Sequence, residues 1–276
     1  MKVAATPREL REILSTFPKP RVLVPTMGAL HAGHIALIRK AREDAGPDGT
    51  VIVSIFVNPI QFDRASDLTA YPRPLEKDLA ICEVEGVDLV FTPETTAMYY
   101  PDRSITVTES SLAAGLCGAS RPGHFDGVCT VVLKLFNLTH CDVAVFGEKD
   151  FQQLAIIRRM VRDLDIPVNI NACRTLREID GLALSSRNVR LKHAERADAP
   201  RIQQALASAI QLNSPTAILA SARAEIEASP LARIDYLSLV DAETLQPATA
   251  LDRPVVLATA VFYGDVRLID NVSREA

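Results

Sequence analysis

The sequence predicts an α/β fold, a parallel sheet with helices on both faces, followed by a smaller C-terminal α+β domain. Three observations carry this reading. Short apolar runs alternate with helical patterns between about residues 21 and 172, and strands separated by helices imply parallel crossovers. The run Val51-Ile52-Val53-Ser54-Ile55-Phe56-Val57 is nearly continuously apolar, as expected of a strand buried on both faces. After about residue 175 the order changes to two helical stretches and then three alternating segments. A chain of 276 residues exceeds a typical domain of roughly 100–200. The boundary is read near Thr175, giving domains 1–175 and 176–276.

The first helix is announced by Thr6-Pro7-Arg8-Glu9. This is a hydroxyl N-cap, a proline at the first helical position and a glutamate placed to reach back to the cap N–H. Leu10, Ile13, Leu14 and Phe17 form its apolar face, and Pro18 and Pro20 close it. Arg21-Val22-Leu23-Val24-Pro25 reads as a buried strand entering a Gly-containing turn, followed by a helix over about 33–45. Next come strand 51–57, helix 74–85, strand 88–91, helix 127–140, strand 142–146, helix 151–164 and strand 167–172. The second region offers helices near 194–212 and 215–228, then strands at 234–240, 255–260 and 266–269. In an open sheet of this kind ligands bind beyond the C-terminal ends of the strands.

Composition narrows the ligand. With 48% hydrophobic and 23% charged residues, no stretch is poor enough in apolar residues to stay disordered. The net charge of −4 gives no general attraction for nucleic acid or an anionic membrane, so small molecules are the expected partners. Cys82, Cys117, Cys129, Cys141 and Cys173 are widely spaced, without a C-x-x-C or a partnering His pair, which indicates neither a disulfide framework nor a structural zinc site and suits a reducing cytoplasm. No run has signal-peptide or membrane-span length.

Five polar clusters carry candidate chemistry. Directly after the first strand stands Pro25-Thr26-Met27-Gly28-Ala29-Leu30-His31-Ala32-Gly33-His34, opening a helix. Helix N-terminal N–H groups attract phosphate, Gly33 allows close approach, and His31 and His34, three apart, share a face and could donate to phosphate oxygens. Surface imidazoles at a cap, or two zinc ligands needing a third, are the alternatives. The strand–turn–helix setting favours phosphate.

Asn58-Pro59-Ile60-Gln61-Phe62 puts two amides at the next strand end, suited to orienting a polar substrate or simply to a turn. Gly147-Glu148-Lys149-Asp150-Phe151-Gln152-Gln153 follows a later strand with a phosphate-holding lysine, although a capped helix start would also explain Asp150. Arg121-Pro122-Gly123-His124-Phe125-Asp126-Gly127-Val128 is a basic, glycine-containing loop or a tight turn. Arg177 to Asn188 sets Ser185 and Ser186 beside Arg187 at the expected domain junction, fit for a triphosphate or for ordinary capping. Three clusters follow strands and a fourth lies at the junction, where an interdomain cleft would gather them.

On these five ordered motifs the chain resembles the pantothenate synthetase family (pantoate–β-alanine ligases) over nearly its whole length. The first motif is similar to the H-x-G-H signature of the nucleotidyl-transferase superfamily. The resemblance implies a Rossmann-like N-terminal nucleotide- and pantoate-binding domain, a smaller C-terminal lid domain and a homodimer. It implies a reaction in which ATP, with Mg²⁺, converts pantoate to pantoyl-adenylate and pyrophosphate, after which β-alanine attacks to give the amide and AMP. A free carboxylate is a poor electrophile, and adenylation supplies the leaving group.

Carried over residue by residue, the ATP site comprises Met27, Gly28, Ala29, Leu30, His31, Ala32, Gly33 and His34, then Gly147, Glu148, Lys149 and Asp150, the backbone near Leu176, and Leu184, Ser185, Ser186 and Arg187. Gln61 and Gln153 hold pantoate in the pantoate/β-alanine site. His34 is the implied proton donor, with His31, Lys149 and Arg187 stabilising charge on the phosphates. The resemblance yields no metal ligands. Leu184 stands where many relatives have Met, a volume-conserving change, and Arg174 where many have Pro.

Two other functions share features with this one. A cytidylyl- or adenylyl-transferase would use the histidine turn but would not need the Gln61/Gln153 pair, and it retains the nucleotide in its product. A nucleotide-binding regulator would bind ATP without releasing pyrophosphate, and the intact set His34, Lys149 and Arg187 argues against it.

Overall fold

The computed structural model describes residues 1–63 and 65–276. The chain divides into two compact units. The first holds Met1–Glu109, Arg121–Glu148 and Ile156–Arg174, and the second holds Ser110–Ser120, Lys149–Ala155 and Thr175–Ala276. In chain order the elements begin with β1 (Lys2–Ala4), α1 (Pro7–Leu14), β2 (Arg21–Thr26), α2 (Ala32–Ala45), β3 (Thr50–Ile55), α3 (Ala65–Thr69), α4 (Leu75–Val84), β4 (Leu89–Phe91) and α5 (Thr95–Met98). They continue with α6 (Leu116–Ser120), α7 (His124–Thr139), β5 (Val143–Gly147), α8 (Phe151–Asp163) and β6 (Asn169–Cys173). Last come α9 (His193–Asp198), α10 (Arg201–Ala209), α11 (Pro215–Glu227), β7 (Ala232–Asp241), β8 (Val255–Tyr263) and β9 (Val266–Arg274).

In the first unit the expected parallel sheet is present. Among the described residues it has six strands in the order β1-β4-β3-β2-β5-β6. Central β2 pairs with β3 on one side (Leu23 opposite Ile52) and with β5 on the other (Leu23 opposite Ala144), all parallel. The chain therefore winds outward through β3 and β4 and then crosses back beside β2, so the strand order reverses between β2 and β5. A crevice outside the strand ends at such a reversal is where ligands bind in doubly wound sheets. Both faces are covered. Val22, Val24, Val51 and Val53 share a core cluster with Ile38 and Ala41 of α2 and Cys82 of α4. Leu23 and Ile52 point the opposite way by the two-residue strand period and are also completely buried.

The first helix starts as its sequence dictates. Thr6 Oγ1 accepts the Glu9 N–H at 3.2 Å, and the Glu9 carboxylate accepts the N–H groups of Ala5 at 2.8 Å and Thr6 at 3.2 Å. The edge strand β1 was not expected. It is three residues long and pairs in parallel with β4, Lys2 opposite Leu89, which leaves too little pattern to detect. The helix expected at 127–140 begins three residues earlier, at His124, after Gly123 with φ 77°.

The second unit joins helices to an antiparallel sheet ordered β7-β8-β9. Ile202 and Leu206 of α10 and Ile218 and Ile226 of α11 pack with Leu237, Leu257 and Tyr263 of the sheet. The single helix expected over 194–212 is divided into α9 and α10, because Pro200 at the junction lacks the N–H needed to continue the α9 ladder. The last strands run further than expected, β8 to Tyr263 and β9 to Arg274. Among the described residues no helix is long and apolar enough to cross a membrane.

Candidate active site

The first unit builds one group of site residues at the C-terminal ends of β2 and β3. β2 ends at Thr26, whose hydroxyl donates to Ser54 O at 2.8 Å and accepts the Gly28 N–H at 3.2 Å. Gly28 then takes φ +81° and Ala29 φ 52°, so two successive residues of the turn are left-handed. Only glycine adopts that region freely, and a Cβ at Gly28 would also lie 2.9 Å from Asp78 Oδ2 and 3.0 Å from Ile55 Cγ2. Both oxygens of Asp78 accept backbone hydrogen bonds from the turn, Ala29 N–H and Leu30 N–H at 2.8 Å each.

His31 is the N-cap of α2. Its Nδ1 accepts the Gly33 N–H at 3.1 Å, and His34 Nδ1 accepts the His31 N–H at 3.3 Å, a capping box made of two imidazoles. The ring centroids are 4.2 Å apart. An imidazole whose Nδ1 accepts a backbone N–H carries its proton on Nε2 when neutral, so both rings are fixed as Nε2–H donors. The sequence pointed to open N–H groups at this helix start as phosphate donors. The His31 cap engages the Gly33 N–H, and the His34 N–H donates to His31 O at 2.8 Å.

Gln61 sits in a short 3-10 turn (Pro59–Gln61) after β3 and is 7% exposed. Its side-chain oxygen accepts from Asn58 Nδ2 at 2.8 Å, and its Nε2 reaches Met27 Sδ at 3.3 Å. Asn58 is itself held by Tyr99, whose hydroxyl donates to Asn58 Oδ1 at 2.8 Å, and by Gly127 O, which accepts from Nδ2 at 3.1 Å. His124 Nδ1 bonds the Gln61 carbonyl at 2.8 Å. Met27, His31, His34 and Gln61 thus belong to one unit and to adjacent strand ends. Gly147, at the end of β5 in the same unit, meets nothing nearer than Leu37 Cδ2 at 4.0 Å where a Cβ would be. Packing does not demand a glycine there, and the open space suits close approach of a ligand.

The second unit builds the other group. Lys149 is half-buried, and burial pushes its ammonium pKa down. Neighbouring Asp150 pulls it up, Arg187 pushes it down and Asp270 pulls it up. The Lys149 carbonyl accepts from Asn271 Nδ2 at 3.0 Å. Asp270, 4% exposed, receives a two-pronged ion pair from Arg177 at 2.6 and 3.0 Å. Arg177 also begins a tight hairpin, with Glu178 N–H donating to Leu182 O at 2.8 Å and Leu184 N–H to Leu176 O at 3.0 Å. The hairpin puts the Leu176 and Leu184 backbones side by side and leads into Ser185, whose Oγ accepts the Arg187 N–H at 3.2 Å. Lys149, Ser185 and Asp270 line one small pocket.

The two adjacent glutamines have different surroundings. Gln152 is buried and its Nε2 donates to Leu112 O and Gly115 O at 2.8 Å each, so its amide nitrogen is committed to structure, whereas Gln153 is half-buried. Among the described residues no three His, Cys, Asp or Glu side chains are grouped to hold a metal ion.

Several residues escaped sequence reasoning. Asp78 looks like an ordinary first-turn acid of α4, and Tyr99, Asp270 and Asn271 lie outside every motif. Arg121 and His124 lie inside a recognised segment, but their bonds to the Gln61 carbonyl, at 3.4 and 2.8 Å, are not legible from the sequence.

The pantoate-beta-alanine ligase family model matches residues 2–273. The chain is 54% identical to the pantothenate synthetase of Akkermansia muciniphila over 279 residues, covering 99% of each chain. It is 48% identical to that of Ruminiclostridium cellulolyticum over 281 residues, again covering 99% of each. The crystal structure of pantothenate synthetase from Thermus thermophilus superimposes with a TM-score of 0.92 at 42% identity, covering 99% of both chains. That of the Francisella tularensis pantoate-beta-alanine ligase, complexed with beta-gamma ATP and beta-alanine, gives 0.81 at 35% identity and covers 99% of this chain and 97% of that one.

Proposed function

Because the chain belongs to the pantoate-beta-alanine ligase family, we propose that the two groups of residues described above bind and align the substrates of that family's reaction. The enzyme is an ATP-dependent ligase. It condenses (R)-pantoate with β-alanine through a pantoyl-adenylate, releasing AMP and pyrophosphate. On our reading, ATP is bound by Met27 to His34, Gly147 to Asp150, the Leu176 backbone and Leu184 to Arg187, while Gln61 and Gln153 hold pantoate. Residues 1–175 serve as the nucleotide- and pantoate-binding domain and residues 176–276 as a smaller domain.

In the first step a pantoate carboxylate oxygen attacks the α-phosphorus and the bond to pyrophosphate breaks. No protein nucleophile is required, so catalysis rests on alignment and on stabilising charge that grows on the phosphate oxygens. The observation that carries this reading is the imidazole pair: with both Nδ1 atoms tied to backbone N–H groups, the Nε2–H of His34 and His31 are preset donors. Protonated Lys149 and Arg187 add positive charge. In the second step the β-alanine amine attacks the acyl carbonyl, AMP leaves and the amine loses its proton.

Mg²⁺ fits the triphosphate better than a protein cage. It ordinarily keeps substrate phosphates, waters and only one or two carboxylates, and Asp150 is the exposed carboxylate of its turn. The ion would neutralise phosphate charge. A homodimer is part of the same reading, as is a cytoplasmic location, which the five free cysteines suit.

The test separates the two steps: pyrophosphate and AMP release are followed with ATP, pantoate and Mg²⁺, with and without β-alanine, and the amide is identified by mass. His34→Ala is expected to slow adenylation by roughly 10²-fold or more, by analogy with loss of one transition-state donor. Near-normal adenylation by the variant would remove His34 from that role.

A further inference from the structure

The reading of the histidine turn as the ATP site leaves open what holds the turn in shape. The turn is conformationally improbable. Gly28 at φ +81° is followed by Ala29 at φ 52°, and a side-chain-bearing residue persists in the left-handed region only where its surroundings over-determine it. Asp78 supplies that constraint. It is 1% exposed, and its two oxygens accept from successive N–H groups, Ala29 at Oδ2 and Leu30 at Oδ1, both at 2.8 Å. No ion pair to Asp78 occurs among the described residues. A carboxylate so buried is tolerated because it is hydrogen-bonded, and charge-assisted bonds to backbone N–H groups are stronger than neutral ones. The nearest alternative use of the group is unattractive, since both oxygens already accept backbone hydrogen bonds.

We propose that Asp78 is a positioning residue for adenylate formation: its carboxylate clamps the Ala29 and Leu30 N–H groups, fixing the turn that delivers His31 and His34 to the nucleotide. The inference rests on the histidine turn being the ATP site. It assigns Asp78 no contact with substrate. Its effect passes through the backbone, one residue from His31, which caps α2 and whose N–H is bonded to the His34 ring. Replacing the carboxylate by an amide keeps the shape but sets an NH₂ donor against one of the two N–H donors. The turn then relaxes and the imidazoles lose alignment.

The test measures ATP-dependent pyrophosphate exchange, with pantoate, for wild type, Asp78→Asn, Gly28→Ala and His34→Ala, alongside thermal unfolding of each. Asp78→Asn is expected to lose roughly 10- to 100-fold in kcat/KM for ATP, the scale of an ångström-sized misplacement, while the KM for β-alanine in the full reaction stays within about twofold. A merely structural role would lower the folded fraction, and with it the maximal rate, without moving the KM for ATP. Gly28→Ala presses on the same carboxylate oxygen from the other side and is expected to raise the KM for ATP, so an unchanged KM in this variant overturns the clamp even if Asp78→Asn does not fold. Impaired His34→Ala with ATP parameters near wild type in folded Asp78→Asn, or in Gly28→Ala, overturns the inference. Unimpaired His34→Ala overturns the reading of the turn as the ATP site, and the inference with it.

Discussion

Gly127 offers a sharp test because the expected sign opposes the general rule. It lies within α7, where replacing glycine by alanine ordinarily stabilises a helix by roughly 0.5–1 kcal/mol. Here the added Cβ would stand 2.4 Å from Ile60 O and 2.7 Å from both Gln61 N and Gln61 Cα. All three are backbone atoms, which have no rotamer to retreat into. Ordinary contact needs about 3.5 Å, so the 3-10 turn and the helix must separate by roughly 1 Å. Overpacking of this kind costs about 1–3 kcal/mol. With three such contacts the upper part of that range applies, and the net loss after the propensity gain is about 1–2 kcal/mol. At about 2–4 °C per kcal/mol, the melting temperature should fall by several degrees. The same displacement moves Gln61, the proposed pantoate ligand, which the bond from Asn58 Nδ2 to Gly127 O ties indirectly to α7. The KM for pantoate should rise about tenfold and more than that for ATP. Thermal unfolding and initial rates with each substrate varied would measure both effects. A raised melting temperature together with an unchanged pantoate KM would refute the argument that this backbone approach fixes Gln61.

Two further outcomes follow from the titrating groups. Lys149 acts in its protonated form on our reading, and Asp270 favours that form; Asp270→Asn should therefore lower the Lys149 pKa further and move the alkaline limb of kcat/KM to lower pH, whereas a limb that stays or rises would show that Asp270 does not act on the lysine. Burial pushes the thiols of Cys82 and Cys129 up to about 12 and that of Cys141 to about 11, so iodoacetamide near neutral pH should first label the partly exposed Cys117 and Cys173, and early labelling of Cys82 by mass spectrometry would contradict that order.

The first helix was legible because its signals are local. Thr6, Pro7 and Glu9 make the capping box without help from the rest of the chain. The central strands were legible because burial on both faces forces an unbroken apolar run. Beyond these, the sequence was ambiguous wherever the decisive partner is distant. β9 continues past the expected end at 269 through Asp270 and Asn271, which interrupt its apolar pattern yet are both buried, Asp270 against Arg177 and Asn271 donating to the Lys149 carbonyl. Gly127 resembled a weak point in a helix until its approach to Ile60 and Gln61 was visible. The candidate site divides the same way. The residues proposed to meet ligand lie in compact motifs, most of them at strand ends, whereas those that hydrogen-bond to these segments, such as Asp78 and Tyr99, sit tens of residues away and look ordinary.

The position of β2 in the sheet has a consequence for synthesis on the ribosome. Its β3 edge can be covered once residue 55 has emerged, and β4 can join by residue 91, but its other edge waits for β5 at Val143–Gly147. At roughly 5–20 residues per second, the nascent chain spends several seconds with an apolar central strand half-paired. During that interval α2 can already shelter one face of the strand, and the open edge is where a chaperone, or a second nascent chain, would take hold.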